Sequence, residues 1–283
     1  CAMALDHAKW NLATGVPAEF MLLNSISRPL NDPLQEGRDL ITVTRDKGPV
    51  EQQVGLLKHF LDQNGPRGVT PISARIQDVK HRIKSVFSEI LAKGKLVFFI
   101  LVTDGLPTSP TAGECTDSDK KEFVHSLRTL ASEYPVQLVI RLCTDDSSVA
   151  DFYGEIDNEL EMPIDILDDP AAEGEELAKN GNQWLAYTAL LHRVREAGTL
   201  TKVFDTLDER ALKPPEIVKM VQLVSDSPVP LPEEPKPFIA AVEALIRQNP
   251  PVFDCVKGQM RPFVDIGALR SAMGVSGGCC AVQ

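Results

Sequence analysis

The sequence lacks the long apolar runs and the basic clusters that mark several common functional classes. No stretch approaches the roughly 20 apolar residues of a membrane-spanning helix. Lys and Arg number 29 against 40 Asp and Glu, which gives a formal net charge of -11. Because phosphate contacts need clustered basic side chains, no nucleic-acid partner is expected. The chain also has no N-terminal signal-peptide pattern, and its start at Cys1 predicts a fragment.

Cysteine usage excludes two further classes of site. The six cysteines form no C-x-x-C pair and no metal-ligand spacing with the five histidines, so neither a zinc site nor a disulfide framework is expected. An intracellular, reducing compartment is therefore predicted. The sequence also has no Gly-rich phosphate loop, no G-x-S-x-G motif and no His close to a predicted strand end. These absences favour a protein that is not an enzyme.

The strongest signal that is present is an apolar stretch, LVFFILVTDGLP, at residues 96–107. Its first seven residues are all apolar and rich in β-branched and aromatic types, which predicts a central parallel strand buried on both faces. Asp104 follows this strand, at the sheet edge where open α/β folds bind ligands. The alternative is that Asp104 only caps the turn before Gly105.

Helix and strand patterns alternate on both sides of this stretch. Their periodicity predicts helices at 2–14, 50–63, 74–91, 119–134 and 148–160, and strands at 18–23, 40–44, 136–143 and 164–169. This order predicts an α/β fold with a doubly wound, mostly parallel sheet over residues 1–169. Helices alone are predicted over 170–224, at 171–196, 199–210 and 215–224, followed by a Pro-rich linker at 225–237 and a helical segment with a flexible tail at 238–283.

Two short motifs resemble those of von Willebrand factor A (vWA) domains. Residues 101–107, LVTDGLP, resemble the fourth-strand motif of that family, and residues 68–72, GVTPI, resemble its threonine loop. The resemblance covers residues 1–169 and implies a metal-ion-dependent site that grips a carboxylate of a partner protein. Thr70 would help hold Mg²⁺ or Mn²⁺, and Asp104 would contribute outer-shell charge.

A third family element, D-x-S-x-S after the first strand, is not found in its expected form. The resemblance therefore implies that the chain begins in the first helix, without the first strand, and that the cation site is incomplete. A competing alignment takes Leu23-Asn24-Ser25-Ile26-Ser27 as a degenerate version, with Leu23 in the Asp position. In both alignments the leading carboxylate is missing.

A second acidic turn, Asp145-Asp146, follows the predicted strand at 136–143. Its Asp and Ser residues favour capping of the next helix. A hydrolase-type enzyme that uses Asp104 with Asp145 or Asp146 is the alternative to the interaction module. A purely structural vWA-like domain without metal is the third possibility.

The last four residues, Cys280-Ala281-Val282-Gln283, match the C-a-a-X prenylation motif, and the terminal Gln favours farnesyl. A Gly-rich stretch at 274–278 precedes the motif and is expected to expose it. Cys279 is a candidate for S-palmitoylation, and a free thiol is the alternative for it. The sequence therefore predicts a cytoplasmic protein held at a cytosolic membrane face by its lipid anchor.

Overall fold

The computed structural model describes residues 1–24, 34–36, 39–65, 68–111, 113–159, 164–199, 201–225 and 227–275, and for residues 157–159 it describes the backbone alone. The chain divides into two compact units. The first comprises Cys1–Val97, Asp104–Gln137 and Thr144–Met162, and the second comprises Phe98–Thr103, Leu138–Cys143 and Pro163–Gln283. Each unit therefore draws on several stretches of the chain.

Helices and strands alternate through the first part of the chain. In order they are α1 Ala2–Thr14, β1 Ala18–Met21, β2 Gln35–Glu36, β3 Leu40–Val43, α2 Val50–Gln63, α3 Ile72–Ala92, β4 Val97–Thr103, α4 Asp117–Glu133, β5 Val136–Leu142, α5 Ser147–Glu159 and β6 Ile164–Leu167. The predicted bounds of α1 and α2 are confirmed. The other predicted helices and strands of this part are also found, with ends that shift by a few residues.

Strands β1, β3 and β2 form an antiparallel sheet in that order, in the first unit. Ala18 lies opposite Val43 across the β1–β3 pair. Helices α1 and α2 contribute apolar side chains at helical spacing to the core beside this sheet, which includes Ala8, Leu12, Leu34, Ile41, Val43, Leu57 and Phe60. The buried Gln53 fixes the start of α2, because its amide accepts a hydrogen bond from Thr44 N and donates to Thr44 O and Gly48 O.

Strands β4, β5 and β6 form a parallel sheet in that order. Leu138 of β5 lies opposite Ile164 of β6, and at the end of β4 Thr103 O accepts a hydrogen bond of 2.9 Å from Cys143 N. The α/β class predicted from the sequence is therefore confirmed. A complete doubly wound sheet is not seen among the described strands.

The prediction that β4 is a central strand buried on both faces is wrong for the part of the chain that the structure describes. The strand lies at one end of its sheet, and Phe98 and Val102 are 42% and 43% exposed. Leu101 and Thr103, on the opposite face, are buried. An apolar run indicates that both faces favour burial, but it does not specify which element covers each of them.

The chain beyond β6 is largely helical. Its elements are α6 Pro170–Leu177, α7 Ala189–Glu196, α8 Thr206–Glu209, α9 Pro214–Val224, α10 Pro235–Gln248, β7 Val252–Asp254, β8 Gln259–Arg261 and α11 Ile266–Ala272. Their core includes Trp184, Tyr187, Leu207, Ile217, Met220, Phe238, Val242 and Leu269. The hairpin of β7 and β8 was not predicted, and the buried carboxylate of Asp254 accepts a hydrogen bond from Arg261 across it.

The single helix predicted over residues 171–196 is wrong. The helix ends in a π-helical turn, Ala178–Asn182, in which Gly181 takes a φ of 89°, a left-handed conformation that suits glycine. The chain is then extended, and Leu185 makes a β-bridge with Val264 before α7 begins. The helix predicted over 199–210 is likewise reduced to α8. Helical periodicity alone does not report such a break.

Candidate functional site

Thr70, one of the two residues singled out for metal binding, lies in the first unit beside Gly105, the residue that follows the other, Asp104. Thr70 N donates a 2.9 Å hydrogen bond to Thr108 Oγ1, and Thr108 N donates one of the same length to Thr70 O. A Cβ placed on Gly105 would lie 3.5 Å from Thr70 Oγ1, so the Thr70 hydroxyl lies against the residue after Asp104. We call Thr70, Asp104, Gly105 and Thr108 the strand-end site, because they gather where β4 ends.

Local structure explains why the threonine loop holds this position. Gly68 adopts a φ of 82°, and Ile72 N donates to Thr70 O as α3 begins. Asn24 Nδ2 donates a 2.8 Å hydrogen bond to Val69 O. Thr70 is half-buried and Asp104 is exposed. The backbone of the threonine loop is therefore held by hydrogen bonds to both side-chain and backbone groups, and Asp104 is accessible to solvent.

The competing alignment at Leu23-Asn24-Ser25-Ile26-Ser27 is only partly visible. Leu23 and Asn24 lie beside the threonine loop region, because Arg75 Nε donates to Leu23 O and Asn24 bonds the loop directly. Ser25, Ile26 and Ser27 lie outside the described residues. Leu23 has no side-chain oxygen to offer a cation, so the leading carboxylate is still missing in this alignment.

The second acidic turn serves mainly to cap α5. Asp146 accepts hydrogen bonds from Ser148 N at 2.9 Å and from Ser148 Oγ at 2.7 Å, and these bonds hold the pKa of the Asp146 carboxyl below its usual value. The predicted capping role is confirmed for Asp146. Asp145 is exposed. Helix α5 is also tied to the strand-end site, because Tyr153 Oη donates to Gly105 O at 3.1 Å.

The donors at the strand-end site suit a hard cation in kind but not in number. A Thr hydroxyl and an Asp carboxylate are oxygen ligands, which Mg²⁺ prefers, yet an octahedral ion takes about six of them. Among the residues that the structure describes, no group of three or more His, Cys, Asp or Glu side chains is placed to hold a metal ion. Thr70 and Asp104 by themselves therefore supply too few ligands for such an ion.

A buried polar network in the second unit was missed by the sequence analysis. Glu196 of α7 is fully buried and accepts hydrogen bonds from Arg141 of β5, at 2.8 Å, and from Arg193. His192 Nε2 lies 3.0 Å from Glu196 Oε1, without the alignment of a hydrogen bond. His192 Nδ1 lies 3.0 Å from Tyr187 Oη. Helix α7 therefore places most of its charged groups inside the protein.

Arg195 forms the other half of this network. Its guanidinium donates to Glu173 Oε2 at 2.6 Å, to Tyr187 Oη at 3.2 Å and to Asp208. Burial alone would lower the pKa of Arg195, but its neighbours Tyr187, Glu173 and Asp208 raise it. Burial raises the pKa of the Tyr187 hydroxyl. The only sequence signal was the cluster HRVRE at residues 192–196, which is equally typical of a solvated helix face.

The candidate lipidation sites, Cys279 and Cys280, lie outside the described residues. Within the part of the chain that is described, no helix is long and apolar enough to cross a membrane.

Comparison with protein-family models gave no match, and comparison with curated proteins and with solved structures gave no significant match.

Proposed function

We propose that this chain is a vWA-like protein-interaction module that binds a partner protein at the strand-end site. The observation that carries the proposal is the pair of hydrogen bonds between Thr70 and Thr108, which holds the Thr70 hydroxyl against Gly105 and thus next to Asp104. Two stretches that are distant in sequence, each resembling a vWA motif, meet where β4 ends. A partner's carboxylate would be gripped there through Mg²⁺ or Mn²⁺, with Thr70 as ligand and Asp104 as outer-shell charge.

The position and exposure of β4 support the proposal that the strand-end site is incomplete in this chain. A strand made almost wholly of apolar residues lies at the end of its sheet with two side chains more than 40% exposed. In a vWA-like sheet the neighbouring strand carries the D-x-S-x-S element. A strand added beside β4 would pair with its backbone edge, and the D-x-S-x-S element at the end of that strand would supply further oxygen ligands.

Calorimetric titration with MgCl₂ and MnCl₂ tests the metal proposal. The chain should bind either ion weakly at best, because Thr70 and Asp104 alone supply too few ligands. Asp104→Ala and Thr70→Val should abolish this weak binding, and Asp145→Ala, an exposed carboxylate after the next strand, is the matched control. Binding that survives Asp104→Ala would remove the metal proposal. Tight binding that Asp104→Ala abolishes would show that another carboxylate completes the site.

The hydrolase-type alternative, with Asp104 and Asp145 or Asp146 in catalysis, has less support. The Asp146 carboxylate is engaged in capping α5. We therefore propose a binding function without catalysis. If neither ion binds and no partner depends on Asp104, the domain is structural.

We also propose that the protein is farnesylated on Cys280 and held at a cytosolic membrane face. A single lipid chain gives only marginal, reversible attachment, so acylation of Cys279 would supply the second signal. Fractionation of cells that express wild type, Cys279→Ser and Cys280→Ser tests this. The Cys280 variant should be soluble and the Cys279 variant only partly attached. Membrane retention of Cys280→Ser, or an intact unmodified C-terminus by mass spectrometry, would contradict the anchoring proposal.

A further inference from the structure

A groove of about 410 Å³ lies between α4 and α5 in the first unit, apart from the strand-end site. Phe152 and Ile156 of α5 and Val124 of α4 form its apolar part. Its volume falls in the range of about 300–1,000 Å³ that is usual for small binding sites. A single large side chain of a ligand, with its neighbours in the sequence, would fill it.

The rim of the groove is basic although the chain is acidic. Lys120, Lys121, His125 and Arg128 of α4 line it, and Glu155 is the one acidic side chain among its lining residues. Lys121, His125 and Arg128 are separated by one helical turn each, so they stand in a row along one face of α4. None of these basic side chains forms an ion pair within the described part of the chain. Their charge is therefore available to a ligand.

Lys120 joins the basic rim to the apolar part of the groove. Its Nζ lies 5.1 Å from the centroid of the Phe152 ring, within the range of a cation–π contact. A ligand carboxylate that approaches Lys120 would thus also lie beside an aromatic ring. The groove pairs positive charge with apolar surface at short range, which suits a ligand of mixed character.

We propose that this groove binds a partner protein through an acidic peptide segment that carries one apolar anchor residue. The anchor would contact Val124, Phe152 and Ile156, and flanking Asp or Glu side chains would pair with the basic row. The net charge of -11 does not oppose this, because charges more than about 8–10 Å away are largely screened at physiological salt. A recessed site with an apolar part fits a side chain better than it fits the flat surface of an anionic membrane.

Fluorescence anisotropy with labelled peptides tests the proposal. The probe is a nine-residue peptide with a central Leu flanked by Asp and Glu. Its comparison peptides replace the Leu by Ser or the acidic residues by Lys. The acidic Leu peptide should bind best, the Ser peptide several-fold more weakly, and the Lys peptide not at all. Raised salt should weaken binding, because the contacts are between exposed charges.

Charge-reversal variants test whether the peptide binds at this groove. Lys121→Glu with Arg128→Glu should weaken binding of the acidic Leu peptide by about tenfold or more, since two attractive contacts become repulsive. Lys84→Glu with Lys95→Glu, two exposed lysines on and just after α3, changes the net charge by the same amount and is the matched control. Circular dichroism and the melting temperature confirm that both variants are folded.

Three outcomes would overturn the proposal. The first is no binding of the acidic Leu peptide, and the second is equal weakening by the groove variant and the control. The third is displacement of the peptide by phosphatidylserine-containing vesicles together with equal affinity for the Ser peptide, which would make the surface a membrane patch. These tests use no metal ion and none of the residues of the strand-end site, so they stand or fall independently of the proposed function.

Discussion

Removing the Arg195 side chain should be the most destabilising single change in the polar network of the second unit. Arg195 and its partner Glu173 retain only 7% and 4% of their side-chain exposure, at a separation of 2.6 Å. Breaking a buried ion pair by removing one partner leaves an uncompensated charge, which costs ~3–5 kcal/mol. In Arg195→Ala the Glu173 carboxylate still accepts a hydrogen bond from Asp168 N. We expect a loss in this range.

The two tryptophans of the chain allow a specific assay. Trp184 is buried in the second unit and Trp10 lies in the first, so a Trp10→Phe background makes fluorescence report the second unit alone. A loss of ~4 kcal/mol should lower the urea midpoint by roughly 2 M, if m is about 2 kcal/mol/M. Arg270→Ala removes an exposed ion pair with Glu243 and is the control, with an expected loss below ~1 kcal/mol.

Equal lowering of the urea midpoint by Arg195→Ala and Arg270→Ala would contradict this prediction. A double variant, Glu173→Leu with Arg195→Met, separates charge from packing. Its loss of unfolding free energy should be smaller than the sum of the losses of the two single variants, because the buried Glu173 carboxylate is removed together with the cation that pairs with it. Strict additivity would show that the pair is not coupled.

Three further predictions concern a pH effect, a tight contact and a helix cap. Arg210 donates to Glu216 and lowers the pKa of that carboxyl from 4.5 to about 2. The contribution of the ionised Glu216 to stability is therefore complete above pH 4.5 and disappears as the pH falls toward 2. In urea melts, the stability difference between wild type and Glu216→Gln should shrink over that window. Gly198→Ala should destabilise the second unit by ~1–3 kcal/mol, because Gly198 has a φ of 73° and a Cβ there would lie 2.5 Å from Phe98 Cδ1. Thermal melts should show partial recovery of stability when Phe98→Leu is added. No recovery would attribute the loss to backbone strain alone. Thr116→Ala removes one half of the capping box of α4 and should cost ~1 kcal/mol in melts of the first unit, whereas Thr116→Ser should cost much less.

Local sequence pattern determines some of the elements of this fold. Helices α1 and α2 were predicted at their observed bounds, because α1 is ended by Gly15 and α2 shows a periodic apolar stripe. The approach of the threonine loop to the chain after β4 was also expected, although only from the resemblance of two short motifs. The hydrogen bond from Thr70 N to Thr108 Oγ1, one residue beyond the second motif, is consistent with it.

The failures concern contacts between distant parts of the chain. The extended segment after Gly181 pairs with a distant residue through the bridge between Leu185 and Val264, and no local periodicity reports such a bridge. The burial of HRVRE in α7 depends on Arg141 of β5 and on Glu173 of α6, which neutralise its charges. The exposure of Phe98 and Val102 in β4 depends on whether another element packs on that face of the strand, which the apolar run does not report. In each case the deciding partner is far away in sequence.

The division of the chain has a consequence for its synthesis. Strands β4 and β5 belong to the second unit, but the continuous stretch that forms the rest of that unit begins only at Pro163. The two strands therefore leave the ribosome before any of the helices that complete their unit exist. At about 5–20 residues per second, the delay until α11 is made is on the order of 10 s. During that interval the apolar β4 segment is exposed to chaperones and to neighbouring nascent chains, and a polypeptide that stops before α6 should aggregate rather than fold.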